Sequence, residues 1–333
     1  MTLPERPPPS IDAGAPAVPT RQAVWSRYWA HGAAHSCGTS YGERYGGAIA
    51  AFWRKVHDDT PAGSRLLDVA TGSGAIPRLW RSWRTSDTWE AVDLAASPPP
   101  WVAEAGAGLR FHTAVRAESL PFPVASFDLV TSHYGLEYCD LALAVPEVLR
   151  VRAPRGGVAL VLHHRLSRPV TLARTELSHL EWALGPDGLI DACADMLGPA
   201  AEATTPQGRE RLACDPAAEA ARQRFNAAQV ALRERASELD GADTLIEIRD
   251  GASALLQMAM RQGASRARSR LDSWLGALAD HRWRLEELCT HALDGAEAQA
   301  LAAQLASSGL RTDLGKLEEG QYLMGWTLRA VAR

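Results

Sequence analysis

The chain has little cysteine, almost no lysine and no long apolar run, and each shortage closes a class of function. Its five cysteines, Cys37, Cys139, Cys193, Cys214 and Cys289, form no Cys-x-x-Cys pair. That pattern argues against a disulfide framework or a zinc site and fits reduced thiols, so no metal is expected. No apolar stretch approaches the length of a membrane span, and no charged region leads into an apolar one as a secretory signal would. The expectation is a cytoplasmic protein with no membrane partner. Only Lys55 and Lys316 are lysine among 35 basic residues, a bias that points to a GC-rich bacterial genome rather than to a function. A formal net charge of −4 gives no general attraction to nucleic acid or anionic lipid. What remains is 333 residues with 46% hydrophobic content, enough to pack one large domain or two small ones.

The informative stretch is residues 65–76, RLLDVATGSGAI. It reads as a β-branched strand running into a glycine-rich turn and then a helix. Gly72 and Gly74 have no Cβ and reach positive φ easily, so backbone N–H groups there can approach a ligand closely. About twenty residues on, WEAVDLAAS makes a second strand ending in Asp93, where an α/β nucleotide-binding sheet places a carboxylate for ribose hydroxyls. A third strand falls in 109–114, a fourth within 116–138 and a fifth over 156–164. Helical stretches separate several of them, which predicts a parallel, doubly wound sheet. A dinucleotide fingerprint would continue to a third glycine; Pro77 stands nearby instead, a residue suited to a first helical turn.

Over residues 60–165 the chain resembles the class I S-adenosylmethionine-dependent methyltransferases. Asp68-x-Ala70-x-Gly72-x-Gly74 is similar to that family's loop after the first strand, with Ala70 in place of one glycine, and LPFPVASFDLV (120–130) is similar to its approach to the fourth. Within that phrase Phe122 and Phe127 bury the strand's entrance. The resemblance implies an α/β, Rossmann-like sheet of parallel strands closed by an antiparallel hairpin, with S-adenosylmethionine as cofactor and S-adenosylhomocysteine as product. It places Asp68, Ala70, Thr71, Gly72, Ser73 and Gly74 around the methionine part, and Asp93 and Leu94 on the ribose. Ala117 and Glu118 fall beside adenine, with Ser132 also on the cofactor side. Arg116 stands where the family usually has an acid, so the adenine contact passes to the backbone N–H of Ala117 or to Glu118.

Flanking segments suggest the rest of the organisation. Residues 1–19 are rich in proline and small residues and are expected to be disordered. Residues 20–57 turn aromatic, with Trp25, Tyr28, Trp29, Tyr41, Tyr45, Phe52 and Trp53, and read as two helices flanking the loop 31–47. In the family such a segment often folds over cofactor and substrate. Tyr28, His35, Tyr41 and Tyr45, with Tyr134, are therefore candidate substrate-binding residues; the alternative is that the aromatics simply cap the sheet. At the far end a helix (296–307) precedes LRTDLGKL, a turn at Glu319-Gly320, and QYLMGWTLRAV, an alternating hairpin. The core is thus 20–165 plus 291–333, and 166–290 is an insertion after the fifth strand.

The insertion reads as about four helices, divided at 185–188, 198–199, 205–206 and 241–243. Its stripes are Leu271, Trp274, Leu275 and Leu278, and Phe225, Leu232 and Leu239. It is a candidate helical cap over the strand ends, a docking surface or a homodimer interface. Arg261, Arg266, Arg268 and Arg270 crowd one stretch, as a phosphate or carboxylate site or as a solvated face. With 15 Arg against 19 acidic residues over 166–290, and no Asn-Pro-Pro-Tyr type motif, a nucleic-acid substrate is disfavoured.

Methyl transfer from a sulfonium needs a nucleophile held in line and, for a hydroxyl acceptor, a base. Candidate catalytic groups at strand ends are His133 and Glu137 after the fourth strand and His164 at the end of the fifth. Side chains alternate along a strand, so only one of His163 and His164 can face the site; His164 is the choice made here. The expected function is methyl transfer to O or N of a small molecule beneath the cap. The alternatives are a protein or peptide methyltransferase that docks its substrate on the insertion, and a non-catalytic S-adenosylmethionine-binding scaffold.

Overall fold

A computed structural model describes residues 20–30, 32–33, 45–104, 106, 108–238 and 241–333. The expected tail 1–19 and the loop residues His31, His35 and Tyr41 lie outside them. Among the described residues seven strands form one sheet in the order β3-β2-β1-β4-β5-β7-β6: β1 Arg65–Val69, β2 Thr88–Val92, β3 Leu109–His112, β4 Phe127–His133, β5 Arg152–Leu162, β6 Leu310–Glu319 and β7 Tyr322–Ala332. The first five are parallel, and β7 runs antiparallel to both β5 and β6. The Rossmann-like sheet closed by a hairpin is therefore present. Gly320, at φ 59°, makes the hairpin turn.

The helices are α1 Arg21–Ala30, α2 Gly47–Asp58, α3 Ala75–Arg81, α4 Leu141–Val151, α5 Arg168–Leu184, α6 Leu189–Glu202, α7 Pro206–Ala213, α8 Pro216–Glu238, α9 Ala242–Gln262, α10 Ala264–His291 and α11 Gly295–Ser307. Strand alternation sorts the core into two layers. Leu66, Leu129, Ala159 and Val161 face α2 and α3, whereas Leu67, Val130, Leu160 and Leu162 face α4 and α11. Asp140 caps α4 and an Asp294/Glu297 capping box starts α11, which satisfies backbone N–H groups that have no partner in the first turn.

Among the described residues the stretch 166–290 forms six helices, α5–α10, where the sequence reading expects about four. The added breaks are Pro216, which opens α8, and Gly263 at φ 91°, between α9 and α10. Conversely, Pro199 falls inside α6 near its end, where losing one backbone donor breaks nothing else. These helices have their own core around Leu180, Leu189, Phe225, Leu245, Leu255 and Leu271. Phe225, Leu232 and Leu271 are buried as their stripes require, but Leu275 is exposed. With 28 residues, α10 is about 42 Å long. Its first half packs in the cap, and its second half reaches back over the sheet.

Candidate functional site

β1 sits between β2 and β4, so the sheet's topological switch point, where open α/β sheets bind ligands, is at its carboxyl end. There the chain turns through Ala70 (φ 51°), Gly72 (φ 58°) and Gly74 (φ 72°) before α3 starts. A Cβ on Gly72 would fall 2.5 Å from the Trp29 ring, and one on Gly74 2.7 Å from the Trp101 ring. Only bare backbone fits these two positions. Trp101 Nε1 donates to the carbonyl of Ser73 at 2.7 Å, which pins the turn from outside.

Two buried carboxylates organise this turn. Asp68 accepts from the Thr71 and Thr131 hydroxyls, both at 2.6 Å. Burial, opposed by those bonds, pushes its pKa up to about 7. Asp93 accepts from the backbone N–H of Gly72 (2.6 Å) and of Ala95 (2.8 Å), and burial raises its pKa as well. Asp93 is thereby locked in orientation by backbone donors at the mouth of a cavity.

Two cavities meet here. The outer one, about 200 Å³, is lined by Ala70, Gly72, Asp93, Leu94, Ala117 and Glu118, among others. The inner one, about 160 Å³, is lined by Asp68, Thr71, Gly72, Ser73, Tyr28, Tyr45, His133, Tyr134 and His163, and by His281 and Arg284 from α10. Trp25, Trp29 and Tyr138 line both. Each cavity is smaller than the roughly 300 Å³ at which ligand pockets begin.

The inner cavity concentrates the titratable groups. His163 follows Val161 in the alternation of β5 and points to the same layer as His133 and Asp68. Its Nδ1 lies 2.8 Å from Glu137 Oε1, and the same oxygen accepts from its backbone N–H at 2.7 Å. Tyr134 stacks on the His163 ring at 4.1 Å. Tyr134 holds a left-handed backbone at φ 51°, a costly conformation for a bulky residue, fixed by its hydroxyl donating to the Met324 carbonyl at 2.9 Å.

Four of the expected site residues sit otherwise than their expected roles require. His164 continues the opposite layer: its ring stacks on Trp326 at 4.4 Å, its Nδ1 accepts from the Leu166 N–H at 2.9 Å, and it lines neither cavity. His163 lines the inner cavity instead. Glu137 also lines neither cavity but carries the His163 ring. Ser132 points into the layer away from Asp68. Its hydroxyl donates to the Val69 carbonyl (2.8 Å) and accepts from the Leu136 N–H (3.0 Å), so it staples β4 to β1. His133 lines the inner cavity, yet its Nδ1 accepts from Trp53 Nε1 at 3.2 Å, which puts the proton of the neutral ring on Nε2 and leaves no lone pair for a base.

The structure brings together all the remaining expected residues among those described, with Gly74 serving as the left-handed cap of α3. Sequence reasoning missed Thr131, His281 and Arg284. Arg116 does fall at the outer cavity, and Glu118 accepts there from the Asp140 N–H at 3.0 Å.

α1 roofs both cavities and is tied to α10. Arg27 donates twice to Asp280, at 2.6 and 2.7 Å, and Arg21 Nε donates to Glu287 at 2.6 Å. Arg21 also donates to the Tyr138 carbonyl on the sheet side. α1, the sheet loops and α10 thus converge on one site.

A glycine cradle at a switch point, with an oriented carboxylate at the mouth of a cavity, defines a nucleoside-cofactor site. The sequence profile of the methyltransferase domain family matches residues 67–160. A malonyl-[acyl-carrier protein] O-methyltransferase from Erwinia billingiae is 37% identical over 102 residues, covering 29% of this chain and 38% of that protein. The uncharacterized methyltransferase YcgJ of Bacillus subtilis is 35% identical over 113 residues, covering 32% and 43%. The chain thus spans about two fifths of the length of the curated relatives it matches. The solved YcgJ structure overlaps 39% of this chain and 58% of that one, with 26% identity and a TM-score of 0.32. Residues 67–160 are thus a methyltransferase domain of the S-adenosylmethionine-dependent kind, and S-adenosylmethionine is the cofactor that domain implies. The bare-backbone cradle and the Asp93 carboxylate fit that cofactor. Among the described residues no helix is long and apolar enough to cross a membrane.

Proposed function

We propose that this protein methylates an oxygen or nitrogen of a small-molecule acceptor held in the inner cavity, with His163 as general base. The observation that carries the reading is that one cavity is lined both by the glycine turn and by an imidazole backed by a buried carboxylate. Asp68, Ala70, Thr71, Gly72, Ser73 and Gly74 surround the methionine end, Asp93 and Leu94 take the ribose, and Ala117 and Glu118 flank adenine. The bound cofactor supplies an electrophilic methyl group. Glu137 accepts the Nδ1 proton of His163, which leaves Nε2 with its lone pair to take a proton from the acceptor. Tyr28, Tyr45 and Tyr134 wall the acceptor, and α1 with α10 excludes water above it.

A roof of this kind supports a small molecule over a protein substrate, which would need an open groove. By name, the curated relatives cited act on an oxygen of a carrier-bound malonyl group or have no stated substrate; the proposal for this chain is the coarser class of O or N acceptors. Dimerisation through the cap belongs to the same proposal, with Val230, Ile246, Met260 and Leu275 exposed there.

The test is calorimetric titration with S-adenosylmethionine and S-adenosylhomocysteine, followed by a metabolite screen for transfer of labelled methyl. Micromolar binding and a methylated product are expected. Binding without any product would return the chain to a scaffold role.

A further inference from the structure

The cap supplies the inner cavity with a cation that the methyl-transfer chemistry does not use. Arg284 enters from α10, its guanidinium 4.2 Å above the Tyr28 ring and its Nη2 donating to His281 Nδ1 at 3.1 Å. His281 Nε2 in turn faces Glu176 at 3.3 Å. The acids nearest along α10 are already committed: Asp280 holds Arg27 through both oxygens, and Glu287 holds Arg21. Among the described residues no carboxylate lies within ion-pair distance of Arg284. Burial pushes its pKa below the ordinary arginine value, yet a guanidinium stays charged near neutral pH. Asp280 attracts it only from beyond contact distance, and a half-buried charge with no carboxylate at contact is costly unless a ligand supplies the counter-charge.

We infer that Arg284 binds a carboxylate of the acceptor, which is therefore a small organic acid bearing a separate hydroxyl or amine that reaches His163. This rests on the acceptor-cavity reading above. Stacking on Tyr28 uses the face of the guanidinium and leaves its edge N–H groups in plane, the geometry that grips a carboxylate with two parallel bonds. One guanidinium matches the single charge of a carboxylate, whereas a phosphate monoester brings about two. Leu285, Leu288 and Ile76 supply apolar contact for the body of the molecule. A neutral analogue would leave the cation unpaired and be rejected.

The test uses the full chain saturated with S-adenosylhomocysteine and three hydroxy acids, salicylate, para-hydroxybenzoate and mandelate, each beside its primary amide. Binding is read by calorimetry and by the imidazole resonance of His163, assigned with His163→Gln. At least one acid is expected to bind about tenfold or more tightly than its amide. Arg284→Gln should erase that preference and Arg284→Lys should keep part of it, with S-adenosylhomocysteine binding in both variants reporting an intact cofactor site. Equal binding of acids and amides, or a preference that survives in Arg284→Gln, overturns the carboxylate assignment and leaves the acceptor cavity standing. If none of the six compounds perturbs His163, both fall.

Discussion

The two cavities beside Trp29 are built in different ways. The outer one is lined largely by the sheet's own loops, with Arg21, Trp25 and Trp29 added from α1, and its Asp93 carboxylate is held by N–H groups only 2 and 21 residues away. The inner one is walled by side chains from segments far apart in the chain, down to Arg284 against Tyr28. A shared cofactor needs the first kind of site and can be served by local geometry. A particular acceptor would need the second, and α1 and the insertion that wall it lie outside residues 67–160, the part that matches the methyltransferase domain.

The difference breaks most visibly at His163. His163→Gln should lower turnover about 10²-fold while leaving cofactor affinity intact, because only the proton transfer is lost. Single-turnover rates and calorimetry on the same preparations separate the two. If His133→Gln instead carries the loss, the base belongs to the ring that Trp53 holds, and the role of Glu137 falls with it.

Asp93→Ala is the converse probe. It should cost cofactor binding about 1.5–3 kcal/mol through lost charge-assisted hydrogen bonds, and leave the acid-over-amide preference of the inner cavity untouched. A parallel loss of acceptor binding would mean that the cavities act as one.

Legibility follows the same division. The turn at residues 68–74 could be read because a left-handed backbone under a ligand demands glycine in a contiguous stretch, and Asp93 because strand ends recur at regular spacing. The hairpin was equally plain, since β7 alternates. The choice between His163 and His164 was not. β5 is buried on both faces, so GGVALVLHH carries no polar alternation from which to count parity, and the strand ends at Leu162, before either histidine. Arg284 sits among other charges on α10, and nothing in its neighbours shows that it turns inward toward Tyr28. The extra cap helices were hidden because Pro216 and Gly263 are single-residue breaks in otherwise uniform helical text.

Asp68 sits beneath the inner cavity and gives a smaller, pH-borne effect. Its folded pKa of about 7 lies above the ordinary 3.8, so the neutral carboxyl's contribution to stability is fully present below about pH 3.8 and lost as pH rises through 7. The unliganded protein should lose about 1.4 kcal/mol between pH 6 and 8 from this group. Denaturant unfolding of Asp68→Asn should show that loss removed, with Asp93, the other charge acting on Asp68, left to titrate in both proteins. An unchanged pH slope would place the ionised form of Asp68 in the folded state throughout.

The smallest effect tests whether lid and cap act together. The Arg27–Asp280 pair is exposed on the arginine side, 49% against 15%, so solvent screening limits Arg27→Ala to about 0.5 kcal/mol of stability. Its consequence for function should nonetheless be directional. Freed from Arg27, Asp280 competes more strongly for Arg284, which it already attracts, and α1 loses a tether to α10. Acceptor KM should therefore rise several-fold with kcat and cofactor affinity unchanged. A fall in cofactor affinity instead would show that α1 serves the outer cavity through Trp29 rather than closing the inner one, and the contrast between the two cavities would shift from their walls to their common roof.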